Sequence, residues 1–375
     1  MRDVLDEIAQ WFACDEPFAL ATVVRTWKSS PRAPGAAMAV SRSGQVLGSV
    51  SGGCIEGALY DVALAVLDVG HCRTEVFRVT DDDAFGVGLT CGGTIEVFVQ
   101  RVDRRTYPEF PEVARRIAAG DPVAVVTDRS GSCARHRIVT PEGSDRESRA
   151  DAEARRLLRS GESRTFVDGV GDPGESLPVV EVFAPRPRMY VFGAIDFAAA
   201  LCTAGRFAGY HVTVVDARPV FATRARFPAA DDVVVMWPHV FLDSATVDSS
   251  TVVAVLTHDE KFDIPLLERA LRSDAAYIGA MGSRSTHERR IALLRETGLS
   301  QAELDRLYSP IGLDLAARTP EETAIAILAE ILVATRGATG ESLVRLRGPI
   351  HRDRTDRTAR PAGCPTPIDG AAVAL

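Results

Sequence analysis

No Cys-x-x-Cys pair occurs in this chain of 375 residues, although it holds seven cysteines: Cys14, Cys54, Cys72, Cys91, Cys133, Cys202 and Cys364. An odd count spread so widely excludes a disulfide framework and a structural zinc site. Most of these thiols are therefore expected as small, buried apolar residues. A membrane-length apolar run is also missing. The longest, near Ala324 to Ala334, contains Glu330 and is too short for a bilayer. The amino-terminal stretch MRDVLDEIAQWF carries acids where a secretory leader would carry an apolar core, which points to the cytoplasm. A basic stripe is absent as well. With 43 Lys+Arg against 51 Asp+Glu, the formal net charge is −8. That balance argues against nucleic acid and against an anionic membrane surface as partners. No repeat of solenoid period is found.

What is present is the composition of an ordinary globular chain long enough for two domains. The boundary falls at Ala184-Pro185-Arg186-Pro187-Arg188, between strand-like runs at Leu177 to Phe183 and Met189 to Phe192; prolines there break any ladder. This gives one domain over 1–184, a second over 188–337, and a tail over 338–375. The tail carries Arg345, Arg347, Arg352, Arg354, Arg357 and Arg360 among prolines and glycines and is expected to be largely disordered.

The fold class is α/β. The first domain reads as mixed α+β: a helix over 2–13, strands at Ala19 to Arg25, Ala36 to Ser41 and Gln45 to Ser51, a helix from about Ile55 to Asp68 stopped by Gly70, then strands at Thr74 to Val79 and Thr94 to Val99. Its charged segment Pro141 to Arg164 reads as an exposed helix or flexible insertion around Ala150 to Arg159. In the second domain short apolar strands alternate with helices, which is the pattern of a Rossmann-like, doubly wound parallel sheet.

Tyr190-Val191-Phe192-Gly193-Ala194-Ile195-Asp196 sits where the first strand of that sheet turns into a helix, and Asp216 closes the next strand. This is the context of a dinucleotide fingerprint, with the acid near the usual ~20-residue spacing for a ribose contact. Ile195 stands where the second glycine belongs, so a β-branched side chain would enter the path of the pyrophosphate, and Asp196 adds negative charge there. Two readings stand: an NAD(P) site, or a Rossmann-like domain that no longer takes a dinucleotide in the standard pose. Further along, Gly279-Ala280-Met281-Gly282-Ser283-Arg284 opens another helix and could favour an anion through backbone N–H groups and the helix dipole. His258 and Asp259, after another strand, read equally as ligand groups or as a helix cap.

The first domain carries two glycine–cysteine loops. In Gly48-Ser49-Val50-Ser51-Gly52-Gly53-Cys54-Ile55-Glu56-Gly57, Cys54 is expected in the first turn of a helix, where the dipole favours a thiolate. The second, Gly88-Leu89-Thr90-Cys91-Gly92-Gly93-Thr94, precedes a strand. If the loops converge, Ser51, Gly52, Gly53, Cys54, Glu56, Cys91, Gly92 and Gly93 line a pocket of soft thiols and free N–H groups, suited to an anionic ligand with a sulfur or soft-metal centre. Buried spacers at tight turns are the alternative for both cysteines. Lys28 and Arg32, in Trp27-Lys28-Ser29-Ser30-Pro31-Arg32, either grip phosphate or belong to a solvated turn. The run Asp81-Asp82-Asp83 reads as a solvated loop.

Taken together, SSPRAPGAAM, GSVSGGCIEGAL, LTCGGTIEVF, VTVVDARPVFATRARFP, YIGAMGSRSTHERR and SPIGLDLAARTPEETAIAILAEIL resemble the XdhC/CoxI family, accessory factors of xanthine dehydrogenase and related molybdenum hydroxylases. The resemblance spans about residue 3 to 336. It implies a maturation factor without a catalytic cycle of its own, which binds and protects molybdenum cofactor (molybdopterin), presents it for sulfuration and inserts it into an apo molybdenum hydroxylase. It implies a cofactor-binding role for Cys54 and a Rossmann-like second domain. It admits a cysteine desulfurase and a second copy of the chain as further partners. Members commonly show Gly-Ala-Gly-His where this chain reads Gly193-Ala194-Ile195-Asp196, and the departure bears on nucleotide binding there. An NAD(P)-dependent oxidoreductase and a thiol-dependent enzyme using Cys54 are the competing readings.

Overall fold

A computed structural model describes residues 1–27, 30, 32–78, 93–143, 148–169 and 176–347. Lys28, the Asp81 to Asp83 run, Cys91, Gly92, Cys364 and the tail arginines from Arg352 onward lie outside the described residues. The chain divides into two compact units, Met1–Pro185 and Arg186–Gly348.

The first unit contains α1 (Leu5–Ala13), β1 (Phe18–Trp27), β2 (Ala37–Ser41), β3 (Val46–Gly48), α2 (Glu56–Val69), β4 (Arg73–Arg78), β5 (Thr94–Val102), α3 (Phe110–Ala119), β6 (Val123–Asp128), β7 (Arg135–Val139), α4 (Arg149–Arg159), β8 (Arg164–Val167) and β9 (Val179–Phe183). An antiparallel sheet of order β3-β2-β1-β5-β4 has β1 at its centre. Successive side chains of a strand face opposite ways. Ala19, Ala21 and Val23 therefore pack under α2 with Leu59, Ala63 and Val66, while Phe18 and Leu20 meet α1 and α3 through Ile8, Phe12 and Phe110. Burial on both faces explains why the first half of β1 is nearly all apolar, with Thr22 the one polar residue between Phe18 and Val24.

Register decides what this sheet presents. Trp27 lies opposite Thr94, Thr22 opposite Ala37, Met38 opposite Gly48 and Arg78 opposite Thr94. The end of β1, the start of β2, the ends of β3 and β4 and the start of β5 thus share one end of the sheet. The Ser30–Arg32 connection, the glycine loop after β3 and Gly93 all attach there.

A second sheet of four strands, β7-β6-β9-β8, carries α4 on its face. Of the two sequence readings of this segment, an exposed helix or a flexible insertion, the helix forms, and its expected exposure is corrected here. Ala150, Ala154, Leu157 and Leu158 pack on Ala124, Val126, Val180 and Val182, and Ser148 with Asp151 closes a capping box. Its apolar stripe is narrow and set among arginines and acids, so composition hid it. The two sheets of this unit are joined by Arg129, whose guanidinium is 2.9 Å from Glu96, with side chains 1% and 0% exposed, and which donates to the Thr74 hydroxyl and the Leu177 carbonyl.

The second unit runs β10 (Arg188–Phe192), α5 (Asp196–Phe207), β11 (His211–Asp216), β12 (Asp232–Val235), α6 (Pro238–Ser244), β13 (Val252–Val255), α7 (Glu260–Arg272), β14 (Tyr277–Ala280), α8 (Arg284–Glu296), α9 (Gln301–Leu304), β15 (Leu307–Tyr308) and α10 (Pro320–Arg336). All pairings are parallel, in the order β12-β11-β10-β13-β14-β15. Strand order reverses between β10 and β13, so their carboxyl ends frame the crevice where such folds bind ligands. α5 and α10 cover one face through Ala198, Leu201, Ile327 and Ile331, and α6, α7 and α8 cover the other through Leu242, Leu266, Leu267 and Leu294. Near-continuous apolar strands are what two covered faces require.

Candidate functional site

The loop between β3 and α2 is built around one carboxylate. Gly52 and Gly53 take φ of +78° and +117° with open space where a side chain would be, so backbone angle, not crowding, selects glycine at both. These angles turn successive N–H groups inward. Val50, Ser51 and Gly52 donate backbone N–H to Glu56 Oε1 at 3.2, 2.9 and 3.1 Å. Gly53 and Ile55 donate to Oε2 at 2.9 and 3.3 Å. The Ser49 hydroxyl adds a bond at 2.6 Å, and the Ser51 hydroxyl adds another. Burial alone would push the Glu56 carboxyl up. The Ser49 and Ser51 hydroxyls and the backbone donors outweigh it and hold the group well below the ordinary carboxylate range.

This corrects two expectations. The loop's N–H groups are not free: the chain's own carboxylate takes them in a nest of the kind that binds anions. Nor does Cys54 lie in the first helical turn. α2 begins at Glu56 with Ile55 as N-cap, which leaves Cys54 just outside the helix. Its N–H donates to the Ser51 hydroxyl at 3.0 Å, and the half-buried residue packs against the core under α2. Ser49 was not singled out from sequence, because a serine seven residues before Glu56 lies outside the three-residue spacing of a capping box.

Of the other residues assigned to this domain, Gly93 is buried immediately before β5. Arg32 pairs with Asp3 at 2.9 Å, so its charge is already met on the surface. Among the described cysteines only Cys202 is buried, while Cys14 and Cys133 are exposed and Cys54 and Cys72 half-buried; the expectation of mostly buried thiols does not hold. Among the described residues no three His, Cys, Asp or Glu side chains come together as a metal site. No helix among them is long and apolar enough to cross a membrane.

The carboxyl edge of the parallel sheet gathers Gly193, Asp216, His258, Gly282, Ser283 and Arg284. Gly193 has φ +106°, and a Cβ there would lie 3.0 Å from the backbone N of Thr257, so this turn admits only glycine without strain. The Asp216 carboxylate, 2% exposed, is fully engaged. It accepts from the Ala194 N–H at 2.8 Å and from Arg218 through its backbone N–H, Nε and Nη2 at 2.9, 2.9 and 2.8 Å. Burial would raise its pKa, but Arg218 and these N–H groups bring it below the usual range. A ribose hydroxyl would have to compete with that fork. Ile195 is the N-cap of α5 and packs partly onto the core instead of only projecting into the crevice. Arg226 donates to the Ala194 carbonyl and pairs with Asp196 at 3.2 Å, closing the loop from the other side.

His258 is exposed, and Asp259 caps α7 by accepting from the Lys261 N–H. Gly279 is a strand residue within β14 whose missing side chain makes room for Ile311, not part of an anion loop. Ser283 caps α8 with Arg284 exposed beside it. Beneath them lies a feature that sequence alone did not reveal. Arg290, 3% exposed, pairs with buried Asp263 at 2.9 Å and donates to the Met281 carbonyl and the Ser309 hydroxyl. Asp263 also accepts from the Thr257 hydroxyl, so this pair of helix residues ties the ends of β13 and β14, and nothing in the spacing of Asp263 and Arg290 announces it.

Both units have recognisable relatives. Residues 11–79 match the XdhC and CoxI family and residues 189–331 match the XdhC Rossmann domain. The chain is 26% identical over 322 residues to a probable xanthine dehydrogenase subunit of Bacillus subtilis (strain 168), covering 84% of this chain and 93% of that one. It is 27% identical over 314 residues to the molybdenum cofactor insertion chaperone PaoD of Escherichia coli (strain K12), covering 83% of this chain and 81% of that one. A crystal structure from Bacillus halodurans, described as a xanthine dehydrogenase, matches with a TM-score of 0.70 and 29% identity over 89% of this chain and 96% of that chain.

Proposed function

Because the chain belongs to the XdhC and CoxI family, we propose that it is a maturation factor that binds molybdenum cofactor as cargo and inserts it into a molybdenum hydroxylase of the xanthine dehydrogenase type. The observation that carries this reading is the Ser49 to Glu56 loop. It lies in the segment matching the family and holds a soft thiol, Cys54, beside an N–H nest closed by Glu56. A soft thiol suits a molybdenum–sulfur centre. The nest suits an oxyanion, which would compete with the Glu56 carboxylate for the same donors.

In this reading the cofactor brings the redox-active metal, and the chain's own residues only hold and release it. Cys54 supplies the sulfur contact, and Ser49, Ser51 and Glu56 fix the loop that presents it. Carriage needs no acid–base pair. The engaged Asp216 fork and the Asp196–Arg226 pair speak against an NAD(P) enzyme, since both occupy positions a dinucleotide would use. A cysteine desulfurase as sulfur source, a second copy of the chain as partner, and the cytoplasm as the compartment complete the proposal.

The test is reconstitution. An apo molybdenum hydroxylase is incubated with released molybdenum cofactor, with and without this protein, in anaerobic buffer. Activation that depends on the protein at stoichiometric amounts supports the reading. Equal activation without it removes the insertion role.

A further inference from the structure

Two cysteines outside this loop face one another. Cys72 lies between α2 and β4, and Cys133 lies in the turn between β6 and β7. The Cys72 N–H donates to the carbonyl of Ser132 at 2.8 Å, so the backbone of one cysteine is bonded to the residue just before the other. Each thiol then crosses to the opposite turn. Cys72 Sγ lies 3.5 Å from the Gly131 carbonyl, and Cys133 Sγ lies 3.6 Å from the Gly70 carbonyl. A direct backbone hydrogen bond holds the two turns together, and each thiol crosses to the turn that carries the other cysteine, the juxtaposition an internal disulfide needs. Neither is in a disulfide, and Cys133 is exposed while Cys72 is half-buried.

We propose that Cys72 and Cys133 form a dithiol redox site that closes reversibly as an intramolecular disulfide when a low-molecular-weight disulfide is the oxidant. Exposed Cys133 reacts first. Its thiolate attacks one sulfur of the oxidant, forming a mixed disulfide and expelling one small thiolate. The Cys72 thiolate then attacks Cys133 Sγ, forming the internal bond and expelling the second. Two protein thiols are oxidised, one small disulfide is reduced to two thiols, and both protons pass to the leaving thiolates. Burial and then the neighbouring Cys133 push the Cys72 thiol up, which suits a resolving role after the exposed partner has been activated. The bond would pin the start of β4 to the β6–β7 turn, beside the Arg129–Glu96 pair that joins the two sheets. This site is independent of the Cys54 loop.

The full-length protein is titrated with oxidised glutathione, remaining thiols are alkylated, and peptides are mapped without reduction. The expected product is a Cys72–Cys133 linked peptide that dominates all other cysteine oxidation and disappears with dithiothreitol. In Cys72→Ser, Cys133 should stop at the glutathione adduct. In Cys133→Ser, a change at an exposed position, Cys72 should react at least tenfold more slowly. A wild type that accumulates glutathione on Cys133 without the linked peptide overturns the proposal. So do linked peptides through Cys14 or Cys54 in comparable amounts. Unchanged circular dichroism of Cys133→Ser keeps the comparison valid.

Discussion

Glu56 does for the glycine loop what a bound anion would otherwise do. Five backbone N–H groups and two hydroxyls converge on its two oxygens. Removing the acceptor leaves donors that water must satisfy in a partly buried loop, at a cost of about 1–2 kcal/mol after allowing for solvent access. Glu56→Ala should therefore lower the unfolding free energy measured by urea denaturation by that amount. It should also speed alkylation at Cys54, read peptide by peptide, because the Ser51–Cys54 turn loses its anchor. An unchanged alkylation rate would mean that the nest does not position the thiol. Gly193 sets a second test at this scale. Its φ of +106° and the 3.0 Å approach of Thr257 predict that Gly193→Ala costs roughly 1–3 kcal/mol, measured by chemical denaturation. A neutral substitution would show that the turn relaxes freely.

At the scale of elements, legibility followed from whether a segment's environment could be read locally. The parallel strands of the second unit were visible because two covered faces make them short apolar runs, and α2 was visible through its 3.6-residue stripe and Gly70. The strands β6, β7 and β8, and α3, were not anticipated. β7, Arg135–Val139, has a half-buried pattern interrupted by arginines, and α4 hides a buried stripe among charges. The Glu56 nest was missed for another reason: a glutamate at a helix start signals capping, but only the left-handed glycines aim five donors at it. The β6–β7 hairpin also makes a pH prediction. His136 stacks on Tyr107 with centroids 3.5 Å apart, and its Nε2 is shut away without a partner. Burial lowers its pKa from 6.5 to about 3. The folded state thus holds it neutral while the unfolded state takes up a proton below pH ~6.5. The stability this gives is complete above the unfolded value and is lost as pH falls toward the folded one, with a slope approaching about 1.4 kcal/mol per pH unit. Between about pH 5 and 6.5, where carboxylates still contribute little, wild type should lose stability more steeply than His136→Phe, which keeps only the smaller contribution of groups such as His287, also lowered by burial. Parallel profiles would assign the acid sensitivity elsewhere.

At the scale of the whole molecule, each unit closes its own core. The second has two clusters sandwiching its sheet, and the first has clusters of its own on each sheet. A fragment over residues 186–347 should therefore unfold cooperatively by itself, with the circular dichroism of an α/β sheet. A non-cooperative, molten fragment would contradict that independence. The family match spans both units, but the soft-donor loop belongs to the first, and the second offers a Rossmann-type crevice whose acid and phosphate turn are tied up by Arg218 and Arg226. The proposal accordingly places cargo binding in the first unit. The most direct measurement is anaerobic titration of the purified protein with released molybdenum cofactor, comparing wild type with Cys54→Ser. The account predicts stoichiometric binding by wild type that is lost or weakened at least tenfold in the variant. Equal affinity for both proteins, or binding of NAD(P) in place of the cofactor, would contradict it.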